Sequence, residues 1–205
     1  MLAGFVMDDV ENWIVPPGGK IDLQWLPSDL SQFGIQELQL KGSIDTFGLP
    51  RGLEVLRAGK NEFHGNFQTK GLPANIRIVD ISRNLFEGPL DLTSLPKNLH
   101  ELRAYSNSFS GSVECGHLPH ALKELLLANN RFSGSLDLSK LPLSLRDLSV
   151  ERNSLEQEHL VINRESLENI TIRLDYGKFP SITDADGVGV VWELLDEQVV
   201  CIRRH

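Results

Sequence analysis

The dipeptide Leu-Pro occurs at Leu26-Pro27, Leu49-Pro50, Leu72-Pro73, Leu95-Pro96, Leu118-Pro119 and Leu141-Pro142, each 23 residues after the last. Six of the ten prolines thus sit on one fixed period. A unit this short cannot bury its own apolar face and must stack on its neighbours. A strict period in this range therefore specifies a solenoid.

With the Leu of each Leu-Pro as offset zero, the apolar positions fall into columns. Offset +4 holds Leu53, Ile76, Leu99 and Leu122; offset +7 holds Leu56, Val79, Leu102 and Leu125; offset +9 holds Ala58, Ile81, Ala104 and Leu127. The +7/+9 alternation is a short strand with one buried face, and adjacent copies stack these strands into a parallel sheet. Offset +12 is Asn61, Asn84, Asn107, Asn130 and Asn153. A buried turn leaves backbone groups without ladder partners, and an amide side chain can both donate to and accept from them. Offset +14 supplies Phe63, Phe86, Phe109 and Phe132, and offset +16 the glycines at 42, 65, 88, 111 and 134. Apolar residues at +18 and +20, as in Leu90/Leu92 and Leu136/Leu138, predict a second strand on the convex side. The expectation is an α/β horseshoe-class, right-handed solenoid of short parallel strands with few helices, capped at both ends.

The LxxLxLxxN core, as in Leu122, Leu125, Leu127 and Asn130, resembles the leucine-rich-repeat family. The Phe-Ser-Gly that follows is similar to the plant-type extension, and the Leu-Asp-Leu-x-x-Leu-Pro closure to protist forms. The Leu-Pro-x-x-Leu start also resembles bacterial effectors, whose shorter repeat does not match this period. The resemblance covers residues 19–162 strongly and continues through Leu167, Ile170 and Ile172, placed like +4, +7 and +9. It implies the fold and says little about a partner, because the family binds many unrelated molecules.

One domain is expected. Residues 1–18 form an N-terminal cap, residues 19–162 a leading half-repeat and six repeats, and residues 163–205 a degenerate repeat and C-terminal cap. Leu2, Phe5, Val6, Val10, Trp13 and Ile14 make a helical apolar stripe, so the N-terminal cap reads as a helix. Val188–Leu194 and Val199–Arg203 flank Leu-Asp-Glu-Gln and predict a hairpin.

A net charge of −8 lacks the basic face that nucleic acid requires. No apolar run reaches the roughly 18–20 residues of a spanning helix. The first residues carry no basic region of the kind a secretory signal has, and the cysteines are only Cys115 and Cys201. An intracellular, cytoplasmic location is expected; an organellar one and a removed upstream peptide stay open.

Function is expected on the outward positions +6, +8 and +10 of the concave sheet. Val55, Arg57, Ile78, Arg103, Tyr105 and Leu126 mix exposed apolar side chains with Arg and Tyr, the composition of a protein-binding hot spot. Beside them Glu101, Glu124 and Asp147 form an acidic column. Like charges on adjacent strands repel, so a partner with a basic patch is expected. The chain reads as a non-catalytic, monomeric interaction module that binds a protein, alone or as one subunit of an assembly. The alternative is an extracellular or surface module recognising peptide or glycan.

No cofactor or metal is expected. His117, His120 and Cys115 make a poor ligand set, and Thr183–Gly187 lacks the later ligands of a calcium loop. Glu101 and Glu124 have the spacing of a retaining glycosidase pair, about 5 Å, but a flat solvated sheet offers no pocket to separate their pKa values. The sequon Asn169-Ile170-Thr171 falls on an expected strand.

Overall fold

The computed structural model describes residues 6–7, 13–14, 18–163, 165–195 and 199–202. The Leu-Pro period is the coil of a right-handed leucine-rich-repeat horseshoe. Each coil contributes one strand to a concave parallel sheet: Gln32–Gly34, Val55–Arg57, Ile78–Asp80, Glu101–Arg103, Glu124–Leu126, Asp147–Ser149 and Thr171–Asp175. The centres of these strands are in register, Phe33, Leu56, Val79, Leu102, Leu125, Leu148 and Ile172 pairing in turn. All of them are buried. They face the interior because neighbouring side chains on a strand alternate faces.

The seventh strand is displaced from its expected place. Ile172 lies opposite Leu148, a step of 24 residues, so Thr171, Arg173 and Asp175 point outward and Ile170 precedes the strand. The sixth repeat has lost its +16 glycine and no Leu-Pro follows it at residues 164–165, so the local signals that keep the count are gone.

A second, six-stranded parallel sheet forms the convex wall from Lys41–Gly42, Glu62–Gly65, Leu85–Pro89, Ser108–Val113, Arg131–Leu136 and Ser154–Leu155. These strands run from about +13 to +18, earlier than the expected +18/+20 alternation. Offset +20 instead opens a 3-10 turn, as at Leu92–Ser94 and Cys115–His117. At some of these turns a side chain contributes: Asp45 and Asp91, at +19, accept from the backbone N–H two residues on, at 3.0 and 2.9 Å, and such a cap favours a turn over an extended chain, whereas Gln68 and Glu114 make no such bond. At +16 the chain passes through positive φ, 88° at Gly111, where any Cβ would be strained.

Two columns hold the coils together. Phe63, Phe86, Phe109 and Phe132 are fully buried and stack with centroids 6.4, 6.0 and 6.3 Å apart. The asparagines form the expected ladder. Oδ1 of Asn107 accepts from Phe86 N at 3.1 Å, while its Nδ2 donates to Ile81 O and Ala104 O at 3.0 and 3.2 Å. Asn130 repeats the pattern with Phe109 N, Ala104 O and Leu127 O. Where the sixth repeat loses its glycine, Gln157 Oε1 takes the N–H of Leu136 at 2.6 Å.

At the C-terminus Trp192–Leu194 and Val199–Ile202 form the expected hairpin, which joins the concave sheet by antiparallel pairing of Val199–Ile202 with Ile172–Asp175. Residues 196–198 and 203–205 lie outside the described residues. At the N-terminus the helix expectation fails where it can be compared: Val6–Met7 and Trp13–Ile14 are antiparallel strands. A helical stripe also places apolar residues at Val6, Trp13 and Ile14, and the β-branched and aromatic types there suit an extended chain. The rest of that segment lies outside the described residues.

Candidate interaction surface

The strand register assembles the outward columns as the period specifies. At +6, Val55, Ile78, Glu101, Glu124 and Asp147 follow one another strand by strand. At +8, Arg57, Asp80, Arg103, Leu126 and Ser149 do the same. Tyr105 stands two residues beyond Arg103, and Arg83 lies over its ring, 5.9 Å from the centroid.

These positions do not offer equal surface. Ile78, Arg57, Tyr105 and Leu126 are half-exposed, but Val55 is 9 % exposed and adds little. Asp80, opposite Arg57, is 6 % exposed, covered on the concave face by its neighbours. Its carboxylate accepts from Ser82 N, Ser82 Oγ and Gln36 Nε2 at 3.0, 2.7 and 3.2 Å. Position 59 has to be glycine for this: a Cβ there would sit 2.9 Å from Asp80 Oδ1. Among the described residues the Arg57 side chain makes no ion pair or hydrogen bond, so it is a cation presented to solvent beside Ile78.

The acidic column is answered from within. Arg103 lies between two carboxylates, with Nη2 2.9 Å from Glu101 and Nε 2.5 Å from Glu124. Hydrogen bonding to Glu124, and then the charges of Glu124, Glu101 and Asp80, raise the Arg103 guanidinium above its ordinary value against the opposing effect of burial. Arg173, one coil beyond the repeats counted in the sequence, binds Asp147 at 2.6 Å. Sequence reasoning missed Arg173 because the outward columns were read only through the six counted repeats; the two-residue phase difference keeps Arg173 on the same face. The +10 position of the sixth coil, Glu151, accepts from Ser149 Oγ at 2.8 Å. Among Glu101, Glu124, Asp147 and Glu151 against Arg103 and Arg173, two negative charges remain after pairing.

Among the described residues no group of His, Cys, Asp and Glu is placed to hold a metal ion. Among them also, no helix is long and apolar enough to cross a membrane. Cys115 is a free, buried thiol, and burial pushes it up to about 12. The exposed apolar side chains at the C-terminal end include Tyr176 and Trp192, whose rings are 6.1 Å apart.

No known family profile matches the chain, and no curated protein sequence matches it. Solved structures do. The chain is similar to the ectodomain of the Arabidopsis receptor kinase HAESA, solved with an N-terminally extended IDA peptide hormone ligand. The TM-score is 0.64 at 26 % identity, over 84 % of this chain and 29 % of that one. It is similar to a TDR receptor at TM-score 0.60 and 22 % identity, over 82 % of this chain and 32 % of that one. A plant ice-binding protein matches at TM-score 0.56 and 20 % identity, over 77 % and 59 %. The chain thus spans between 19 % and 32 % of the first receptor ectodomains it resembles. At these identities the likeness is one of fold.

Proposed function

Because the chain is a leucine-rich-repeat solenoid, we propose that it is a non-catalytic recognition module that holds a protein partner along its concave sheet. The observation that carries this reading is the patch of Arg57, Ile78, Tyr105 and Leu126. It joins a cation without an internal partner to half-exposed apolar and aromatic side chains on one continuous face. Such side chains are the types that dominate binding energy when a partner covers them. The strands beneath are fixed by the Asn and Phe columns, so little ordering is lost on binding. The residual negative charge around Glu101, Glu124, Asp147 and Glu151 favours a partner with a basic region at that end, and acts on association rate. A role as one subunit of a larger assembly is compatible with this face.

A second reading is supported by the receptor likenesses: an extracellular or surface module that recognises a peptide, the HAESA ectodomain having been solved with a peptide hormone ligand. The experiment that tests both is affinity capture on the purified chain, followed by titration of the captured partner. Arg57→Glu, Tyr105→Ala and Leu126→Asp are expected to weaken binding at least tenfold while leaving the fold intact. Wild-type affinity in all three excludes the concave face.

A further inference from the structure

The chain contains one Asn-x-Ser/Thr sequon, Asn169-Ile170-Thr171. The sequence reading places Asn169 on a strand. The two-residue correction to the last coil moves it off the strand and onto the turn before it. Asn169 closes the 3-10 turn Ser166–Glu168 with φ −141° and ψ 19°, and the strand begins only at Thr171, whose N–H donates to Arg146 O at 2.8 Å. Asn169 is exposed, and among the described residues its side chain makes no hydrogen bond. The ladder asparagines at 61, 84, 107, 130 and 153 are the opposite case, with both ends of each amide engaged. Ile170 and Ile172, at 2 % and 0 % exposure, pin the chain on either side of Thr171, so a substituent on Asn169 stands off the surface without disturbing the core.

We propose that Asn169 is the acceptor of an N-linked glycan, which places this chain in a compartment where such transfer occurs. The donor is a polyprenyl-diphosphate oligosaccharide. The bond from its anomeric carbon to the diphosphate breaks, a bond from that carbon to Asn169 Nδ2 forms, the amide nitrogen loses one proton and the lipid diphosphate leaves. The hydroxyl of Thr171 is the part of the sequon read during transfer. Its half-buried place in the finished sheet is no bar when transfer precedes folding. The free thiol is no bar to an oxidising compartment, since Cys115 is 1 % exposed. The sugar would stand beside the first residue of the last concave strand, at the rim near Arg173 and Asp147. The proposal does not depend on what the concave face binds.

The test has two arms. The full chain, directed into the secretory pathway of a eukaryotic host behind a cleavable signal, should carry one glycan by intact mass. Peptide N-glycosidase should remove it and leave aspartate at position 169. Thr171→Ser should keep the glycan, and Asn169→Gln should lose it while melting with the wild type. The second arm maps the peptide containing Asn169 in protein purified from its own cells. Secreted wild type that is folded but unglycosylated overturns the proposal. So does unmodified Asn169 in the native protein, even where the host adds a sugar.

Discussion

The guanidinium of Arg103 lies 2.5 Å from the carboxylate of Glu124 on the next coil, and the same side chain reaches back to Glu101. One arginine thereby serves two carboxylates that the solenoid period sets directly opposite each other. Replacing it by glutamate would put three carboxylates together with none of the charge that offsets them. Arg103→Glu should cost about 1–2 kcal/mol at low salt, since each exposed pair is worth roughly 0.2–1 kcal/mol and repulsion adds to its loss. The deficit should shrink as salt is added. Urea unfolding at low and high ionic strength measures it, and an equal deficit in both would exclude the electrostatic account. Arg103 is for this reason a poorer probe of binding than Arg57.

The asparagine ladder shares its acceptors. Ala104 O receives Nδ2 of both Asn107 and Asn130. Asn107→Ala and Asn130→Ala should each cost about 1–3 kcal/mol, the penalty for stranding a buried backbone group. The two should not add. A double-mutant cycle should return a coupling of about 0.5 kcal/mol or more, as for residues in one hydrogen-bond network. Strict additivity would mean that each rung stands alone.

Asp91 takes hydrogen bonds from Ser94 Oγ, Thr93 Oγ1 and Thr93 N, and these hold its carboxyl below the ordinary value of 3.8. Asp137 is lowered in the same way by Ser139. A lowered folded-state value means that the unfolded chain binds the proton more readily. The stabilisation is complete above the ordinary value and fades as pH falls through the folded one. Asp91→Asn should therefore reduce stability near neutral pH and flatten its decline below about pH 4. A parallel decline in wild type and variant would show that the cap contributes nothing in acid.

Cys115, with its thiol pushed up to about 12 by burial, should be inert to disulfide reagents at pH 8. Its labelling rate in mild denaturant should track global unfolding, because it packs inside the core. Labelling in buffer within minutes would place an opening at the 3-10 turn Cys115–His117.

What the sequence displayed most clearly is what repetition amplifies. Leu56, Val79, Leu102 and Leu125 lie on one line of the sheet because the same side-chain choice was made at the same offset in each coil. Features set once were harder to see. The phase of the last coil follows no motif, and Arg173 lies beyond the six copies in which the outward columns could be read. The burial of Asp80 depends on Gly59, Ser82 and Gln36, three residues from three coils that no pattern links. Offset +11 hid in another way. Lys60, Arg83, Ser106, Asn129 and Arg152 all have φ between 52° and 57°, yet only Asn129 is a type that favours this region. The hydrogen bonds that their N–H groups make to the next coil, such as Lys60 N to Ser82 O at 2.8 Å and Arg152 N to Asp175 Oδ1 at 2.7 Å, impose the geometry from outside.

Both walls of this solenoid are hydrogen-bonded ladders. Ladders have one spacing, about 4.8 Å between strands. An arc bends only when its outer rail advances further per step than its inner rail, and two rails of equal pitch leave a large radius of curvature. The phenyl rings, nearly parallel and 6.0–6.4 Å apart, meet that pitch by sliding sideways rather than by fanning open. The inner surface is accordingly a shallow trough. Its natural complement is a long, thin object laid across several strands, because a rounded knob would touch only a few of them at once.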